Sequence, residues 1–323
     1  MVDRAIQVVV ASLGISVVLF AYLAITEAIV RILPHRRQAR VQPLLWMAPA
    51  LAFLLIFLLI PLVGTFVLSL LDAGSSRFIG LDNFGAILSD RSMQSAIGNS
   101  VLWLVGLTLA TVSVGLVMAV LADRVRYEGI AKAILFMPMA ISFVAAGVIW
   151  RFMYDYRPPG APQTGTLNAV LTNVGADPVT WLIDSATNNG ALIFAMVWMF
   201  TGFCMVILSA GLKGLPRELL EAARVDGATE WQVFRRVIVP LLGPTIAVVA
   251  TTMAITALKA FDVVYVMTNG NFDTDVIATK MYKELFSSRD FGQASAIAVV
   301  LVIAVVPVMI WNMRSFRRQE AMQ

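Results

Sequence analysis

The stretch that decides the fold lies at residues 218–240 and reads ELLEAARVDGATEWQVFRRVIVP. Its spacing predicts two short amphipathic helices, because apolar side chains recur on one side of each half. Gly227 between them suits the position after a helix end, where a positive φ is needed. Thr229 and Gln232 fit a capping box that opens the second helix, and Pro240 is predicted to end it. Helices of about ten residues are marginal alone in water, so we expect the pair to rest on a larger body.

The composition around this stretch is that of an integral membrane protein. Of the 323 residues, 59% are hydrophobic and only 14% are charged, and the mean hydropathy is +0.83. An ordinary soluble domain has about a quarter of its residues charged. The single histidine, His35, excludes paired-histidine metal motifs, and the single cysteine, Cys204, excludes an intramolecular disulfide. The sequence has no glycine-rich phosphate loop, so we expect no metal or other cofactor and no ATP hydrolysis by this chain.

Seven segments are apolar over the roughly 20 residues that a helix needs to cross a bilayer. They are residues 5–28, 45–71, 98–122, 131–152, 190–212, 241–264 and 292–313. The predicted fold is therefore all-α, with about seven transmembrane helices. The first segment is free of charge over residues 5–26, and the basic cluster follows it instead of preceding it. We therefore expect a retained span with the N-terminus outside, not a cleaved secretion signal.

The basic residues orient these spans. Fifteen of the 24 lysines and arginines lie in residues 29–44, 123–132, 213–240 and 314–323, and eight lie on the opposite side. Because basic residues concentrate on the cytoplasmic side of a membrane, residues 213–240 and the C-terminus are predicted to be cytoplasmic. The residues between 153 and 189 are then predicted to form an outer loop.

The Glu-Ala-Ala of residues 221–223, the glycine at 227 and the closing Val-Pro resemble the EAA loop of importer permeases in the ATP-binding cassette (ABC) superfamily. Val237 and Val239 depart from the Ile and Leu of that pattern. LFMP at 135–138, GTLN at 165–168 and ALKAFDVVYVMTNG at 257–270 resemble the F-type permeases of maltose and α-glucoside importers. The resemblance covers residues 43–323 and implies a six-helix type I importer core. Residues 1–42 would then form an additional N-terminal span and a basic linker.

The resemblance also implies an assembly in a bacterial inner membrane. This chain would be a non-catalytic sugar permease beside a second permease, two cytosolic ATPase subunits that use ATP and Mg, an extracytoplasmic sugar-binding protein and membrane lipids, with no nucleic acid. The implied ATPase-coupling residues are Glu221, Ala222, Ala223, Asp226, Gly227 and Pro240. Arg224, Arg235 and Arg236 are candidates to pair with acidic groups of the ATPase or with lipid phosphates.

A strip of polar side chains on the sixth predicted span is a candidate for the solute path. Thr245, Thr252, Thr256 and Lys259 fall on one side of a helix. A lysine inside a span is often functional, yet Lys259 could also extend to the outer surface, and Asp262 could neutralise it. Hydrogen bonding between helices is an equal alternative for the threonines.

On the fifth predicted span, Trp198 and Gly202 share another face. An aromatic ring above a small residue suits the apolar side of a sugar, and simple packing fits equally well. The full predicted solute path is Trp198, Gly202, Thr252, Thr256, Lys259 and Asp262.

Two other functions fit the sequence less well. A secondary, ion-coupled transporter would need carboxylates within its spans, and the predicted spans hold almost none. A membrane-embedded enzyme would need a catalytic constellation, which His35 alone does not supply.

Overall fold

The computed structural model describes the backbone of residues 2–123 and 125–320, and the secondary structure of that part is helical. The β pairing in the described part is limited to an isolated bridge between Leu71 and Phe78. Within a bilayer a helix satisfies its backbone polar groups inside its own segment, which is why so apolar a chain folds this way. The all-α prediction is confirmed.

The chain divides into two compact units, residues 1–67 and 68–323. In the first, α1 (Val2–Ile32) and α2 (His35–Leu54) are separated at Pro34, whose extended backbone precedes α2. The hydroxyl of Tyr22 donates a hydrogen bond to the carbonyl of Leu45 and ties the two helices together. A π-helical turn, Leu55–Leu59, then leads into α3 (Ile60–Leu68). The predicted division at 42/43 falls inside α2 and stays a prediction.

The second unit holds the remaining helices. They are α4 (Asp82–Ser89), α5 (Arg91–Ala122), α6 (Glu128–Phe136), α7 (Phe143–Met153), α8 (Thr166–Asn173), α9 (Asn188–Lys213), α10 (Arg217–Val225), α11 (Glu230–Val233), α12 (Val239–Leu241), α13 (Gly243–Leu258), α14 (Asp262–Met267), α15 (Ile277–Lys283) and α16 (Phe291–Glu320). Short turns continue several of these helices: a 3₁₀ turn at Met137–Ala140 and π-helical turns at Phe234–Ile238 and Glu284–Ser288.

The centre of the second unit is the pair α5 and α9. Trp103 of α5 and Leu192 and Met205 of α9 are fully buried. A Cβ atom added to Gly115 of α5 would lie 2.6 Å from the Cβ of Cys204. Small residues at such positions let helix backbones approach closely, which replaces the missing hydrophobic drive between helices in lipid. Cys204 is buried with a free thiol.

Six of the seven predicted spans correspond to helices of suitable length and composition. Four are unbroken, at Arg37–Leu68, Arg91–Ala122, Asn188–Lys213 and Phe291–Ile310. Two are bent pairs, Glu128–Ala140 with Phe143–Met153 at 98° and Glu230–Leu241 with Gly243–Leu258 at 71°. The remaining predicted span, which is the first along the chain at residues 5–28, lies within α1. The side chains of residues 1–13 in this helix are outside the described part. The total of seven spans therefore stays a prediction.

The prediction that the fourth and sixth spans are single helices is wrong. In the fourth, Pro138 lies in the 3₁₀ turn without an N–H to donate, and the Ser142 side chain caps the restart by accepting from the amide of Ala145 at 3.2 Å. In the sixth, α13 ends at Leu258 and a new helix begins at Asp262. The break between Leu258 and Asp262 contains neither proline nor glycine. Only tertiary packing therefore produces it.

Candidate functional site

The loop formed by residues 214–242 contains the predicted helix pair. α10 ends in a Schellman motif, in which Gly227 donates to the carbonyl of Arg224 and Ala228 to that of Ala223, both at 3.0 Å. Gly227 has a φ of +85°, the left-handed value that its position predicts. Thr229 opens α11 with the predicted capping box, completed by both hydrogen bonds with Gln232. The local geometry is therefore set by the sequence of the loop itself.

Pro240 does not end the second helix, which is a correction to the prediction. The helix continues through Pro240 to Leu241 and only then bends into α13. The π-helical turn at Phe234–Ile238 immediately precedes α12, the short helix that contains Pro240. A π turn shifts the hydrogen-bond pattern from its usual spacing, and this shift accommodates the missing N–H of proline.

The helix pair rests on the core of the second unit and keeps one apolar side outward. Val233 and Ile238 are buried, while Leu219, Val225 and Trp231 are exposed, Val225 to 87% and Trp231 to 66%. Trp231 lies on the outward side, stacked on Phe234 with ring centroids 5.5 Å apart. Of the predicted coupling residues, Glu221, Ala222, Asp226, Gly227 and Pro240 are exposed, and Ala223 packs inward.

An ion pair closes the loop across its glycine. Arg224 Nε lies 2.8 Å from Glu230 Oε1, so Arg224 is paired inside this chain. The hydrogen bond to Glu230 raises the pKa of Arg224. An exposed pair of this kind contributes little to stability, because solvent screens the two charges. The two paired groups lie on either side of Gly227, one on α10 and one on α11.

The loop lies beside the ends of two spans. Glu128 at the start of α6 accepts from Lys132 and from Lys213, the last residue of α9, whose Nζ lies 2.7 Å from it. A cavity of about 510 Å³ lies between these helix ends and α10, and Glu128, Lys213 and Arg224 are among its lining residues. Charged groups therefore join α6 to α9 at the end of these helices where the loop lies.

A second cavity, of about 400 Å³, lies at the opposite end of α13. Thr256, Lys259 and Asp262 line it, so the structure brings together three of the six residues predicted for the solute path. Lys259 is exposed and directly follows the last residue of α13. It therefore lies at the break instead of inside a continuous span. The expected pairing of Lys259 with Asp262 is absent, because no carboxylate of the described residues lies within ion-pair distance of this lysine. The cavity therefore presents one cation and one anion that are not paired with each other.

The threonines of α13 satisfy their own hydroxyl donors. Thr252 donates to the carbonyl of Val248 at 3.0 Å and Thr256 to that of Thr252 at 2.8 Å. Each of these two hydroxyl donors therefore has its acceptor one turn earlier in the same helix. Thr245 packs on α9, where a Cβ added to Gly211 would lie 2.8 Å from its hydroxyl oxygen. Within this strip, the cavity includes Thr256 and Lys259 but not Thr252.

The other two predicted path residues lie outside the cavity. Trp198 packs edge-to-face on Trp150 with ring centroids 5.7 Å apart. Gly202 faces the backbone of α6, where an added Cβ would lie 2.1 Å from the carbonyl oxygen of Leu135. This contact gives Gly202 a packing role, and a role in the solute path stays a prediction for both residues.

Sequence reasoning did not identify the seven apolar residues of the cavity lining, and three of these seven belong to α7 and α9. These three are Phe143, Met196 and Phe200. Phe143 begins α7 immediately after the bend of the fourth span, and its ring lies 5.8 Å from that of Phe200. Pro138 and Ser142 were the available signals for that bend, since proline and a serine cap mark a helix break and restart.

The described residues contain no cluster of three or more histidine, cysteine, aspartate or glutamate side chains that could hold a metal ion. The structure thus has an exposed helix–turn–helix loop at one end of α13 and a partly polar cavity at the other.

Comparison with known proteins is consistent with this arrangement. Residues 111–320 match the family model described as binding-protein-dependent transport system inner membrane component. The chain is 52% identical over 279 residues to the osmoprotective compounds uptake permease protein GgtC of Synechocystis, covering 86% of this chain and 100% of that protein. It is 45% identical over 280 residues to the alpha-glucoside transport system permease protein AglF of Rhizobium meliloti, covering 86% of this chain and 83% of that protein.

The fold has a solved counterpart. A chain of a bacterial ABC transporter involved in the import of the acidic polysaccharide alginate superposes with a TM-score of 0.72 at 27% identity. The match covers 87% of the present chain and 96% of that chain. The similarity extends through nearly the whole of the related chain, so the helix arrangement described above is that of a type I importer permease.

Proposed function

This chain belongs to the family of binding-protein-dependent transport permeases, and from that premise we propose that it forms half of the membrane pathway of an ATP-driven carbohydrate importer. The substrate class that we propose is a small α-linked glycoside. The observation that carries the proposal is the placement of two sites on one helix: α13 begins at the exposed loop and ends at the cavity of Lys259 and Asp262.

The cavity has the character of a carbohydrate site. Phe143, Met196 and Phe200 supply apolar surface suited to the C–H face of a sugar ring, while Thr256, Lys259 and Asp262 supply groups that match hydroxyls. Lysine donates three hydrogen bonds, the carboxylate accepts, and the threonine oxygen keeps a free lone pair while its proton bonds within the helix. A small-molecule site usually has a mostly apolar lining with a small number of polar groups. The similarity to AglF, an alpha-glucoside transport system permease protein, supports the same substrate class.

The loop is suited to receive force from an ATPase. Exposed Leu219, Val225 and Trp231 would bury against a groove of that partner, as an amphipathic helix docks. α13 has 16 residues and is therefore about 24 Å long. Because a helix of this length moves as a unit, displacement of the loop would tilt its far end and change the cavity. The loop and the cavity would thereby be coupled without any catalytic group in this chain.

The proposal includes partners and an orientation. A second permease would face the cavity of this chain, two ATPase subunits with ATP and Mg would dock on loop 214–242 in the cytoplasm, and an extracytoplasmic protein would deliver the sugar. Fifteen of the 24 lysines and arginines lie on the same side of the predicted spans as the loop, which supports its cytoplasmic placement. The N-terminus would then lie outside and the C-terminus in the cytoplasm of a multi-pass inner membrane protein.

Reconstitution of the complete complex tests the proposal. Proteoliposomes with enclosed ATP should take up radiolabelled maltose, trehalose or sucrose only when the binding protein and the ATPase are present. An ionophore should leave that uptake unchanged. Uptake that follows an ion gradient and needs no ATPase would instead establish a secondary transporter. Failure of all three sugars in a complex that hydrolyses ATP would reject the proposed substrate class.

A further inference from the structure

Four aromatic rings form a continuous chain beside the cavity. Phe261 and Tyr265 stack at 21° with ring centroids 5.2 Å apart, and Tyr282 lies 5.1 Å from each of them. Phe286 continues the series at 4.6 Å from Tyr282. We call these four residues the aromatic track. Each separation falls in the range of direct ring contact.

The aromatic track connects the cavity to the surface. Phe261 is one of the residues that line the cavity, together with Lys259 and Asp262. At the other end, Phe286 is 62% exposed, and Tyr265 between them is 39% exposed. The track therefore begins at the end of α13 remote from loop 214–242 and leads away from the cavity. A ligand that lay along it would reach the cavity without leaving aromatic surface.

The track is held rigidly by the residues that join its two halves. Tyr265 belongs to α14 and Tyr282 to α15, and the connection between these helices is braced from α5 and α9. Asn99 donates to the carbonyls of Asp273 and Asp275 at 2.7 and 2.9 Å, and Asn188 donates to that of Phe272 at 2.6 Å. Lys283 of α15 also pairs with Asp275 at 2.8 Å. Because these bonds hold the connection between α14 and α15 in place, the exposed ring faces are preorganised before any ligand binds.

The charges around the track favour a polar ligand over a lipid chain. Lys259 and Asp262 flank Phe261 at the cavity end, and both tyrosines carry hydroxyl groups. The hydrogen bond with Tyr265 raises the pKa of Tyr282. A surface that only faced lipid would carry a heavy cost for an unpaired cation and carboxylate. A carbohydrate, in contrast, has an apolar C–H face for the rings and hydroxyls for the polar groups.

We propose that the aromatic track is a carbohydrate-binding surface, on which the sugar lies between its release by the delivering protein and its entry into the cavity. This inference rests on the proposed function, since it requires that a sugar passes through the cavity. Stacking on Tyr282 and Phe286 holds the first ring, and Phe261 receives it at the cavity. The aromatic faces tolerate different sugars, so the track would guide a glycoside while the cavity selects it.

The test removes the ring faces from the complete reconstituted complex. Tyr282→Leu and Phe286→Leu keep apolar bulk but delete the stacking surface, whereas Tyr282→Phe keeps the ring. Phe78→Leu is the matched control, because Phe78 is 71% exposed and has no ring contact among the described residues. With a saturating amount of the sugar-loaded binding protein, we expect import of maltose, trehalose or sucrose to fall about fivefold in each of the two track variants, which corresponds to about 1 kcal/mol. Tyr282→Phe and Phe78→Leu should import at the wild-type rate.

A second measurement reports contact directly. In a Cys204→Ala background, Phe286→Cys should react with a small polar thiol reagent, and the transported sugar should slow this reaction, while Phe78→Cys should show no protection. Wild-type import by both leucine variants would overturn the inference and leave the proposed function standing. Loss of intact complex in both variants would also overturn it, by assigning the track to contact with the partner permease. Absence of sugar import by the wild-type complex would overturn the proposed function and this inference together.

Discussion

The turn at Gly227 offers the sharpest test of how this permease is coupled to its ATPase. Gly227 has a φ of +85°, and a Cβ added there would meet no atom within 4 Å. Substitution therefore creates no clash, and its whole effect comes from the backbone. Alanine in the left-handed region costs about 1–2 kcal/mol, and valine costs more because it is β-branched. Asparagine tolerates this conformation and provides the control at the same position.

The magnitude follows from this penalty. About 1–2 kcal/mol changes the equilibrium between the formed and the distorted turn by roughly 5- to 30-fold. Distortion removes the two hydrogen bonds of the Schellman motif, both 3.0 Å long, and changes the angle between α10 and α11. The exposed Arg224–Glu230 pair is too weak to compensate. We therefore expect coupling between the loop and the ATPase to be strongest in Gly227→Asn, weaker in Gly227→Ala and weakest in Gly227→Val.

The assay is ATP hydrolysis by the complete complex in proteoliposomes, measured with and without the sugar-loaded binding protein. Gly227→Val should lose most of the stimulation, Gly227→Ala part of it and Gly227→Asn little. Gly129→Ala is a second control, since Gly129 lies in α6 with open space around it and an ordinary φ. Full stimulation in Gly227→Val would show that the turn does not transmit the signal. Equal loss in Gly227→Asn would show that the left-handed backbone is not the cause.

Three further predictions concern orientation, packing and the cavity. In a cysteine-free background, cysteines at exposed Ala222 and Pro159 should react with an impermeant reagent from opposite sides of the membrane, and labelling of both from outside would reverse the proposed orientation. Gly202→Ala would place a Cβ 2.1 Å from a backbone oxygen of α6, so the melting temperature of the complex should fall by an amount equivalent to about 1–3 kcal/mol, while Gly190→Ala on the same helix should not change it. Thr256→Val should reduce sugar import without reducing the yield of complex, and a loss of yield instead would assign this threonine to packing.

The sequence was sufficient for features whose interaction partners lie within a few residues. The capping box joins Thr229 to Gln232 three positions later, and the Schellman motif joins Ala228 to Ala223. The apolar segments were likewise found from composition alone, because crossing a bilayer requires a run of apolar residues. The bend of the fourth span had signals in Pro138 and Ser142 that were available and not used.

Other features had no local signal. The break after Lys259 contains neither glycine nor proline, and its position depends on how α14 packs against α7 and α9. The inward position of Gly202 follows from the path of α6, more than 60 residues earlier in the chain. Helical spacing places Trp231 and Phe234 on the same side of their helix. Only the packing of that helix on the core of the second unit decides which of the two is exposed.

The sequence by itself thus determined an all-helical membrane chain and the helix–turn–helix loop, because hydropathy and capping act over one span or one turn. Only the tertiary structure decided which side chains share a site. The cavity brings Phe143 of α7 and Phe200 of α9 to Lys259, and the aromatic track joins α14 to α15 across a braced connection. Helical periodicity specifies which residues lie on the same face of one helix. It cannot specify which face of another helix they will meet, because that depends on bends and packing between segments far apart in the chain.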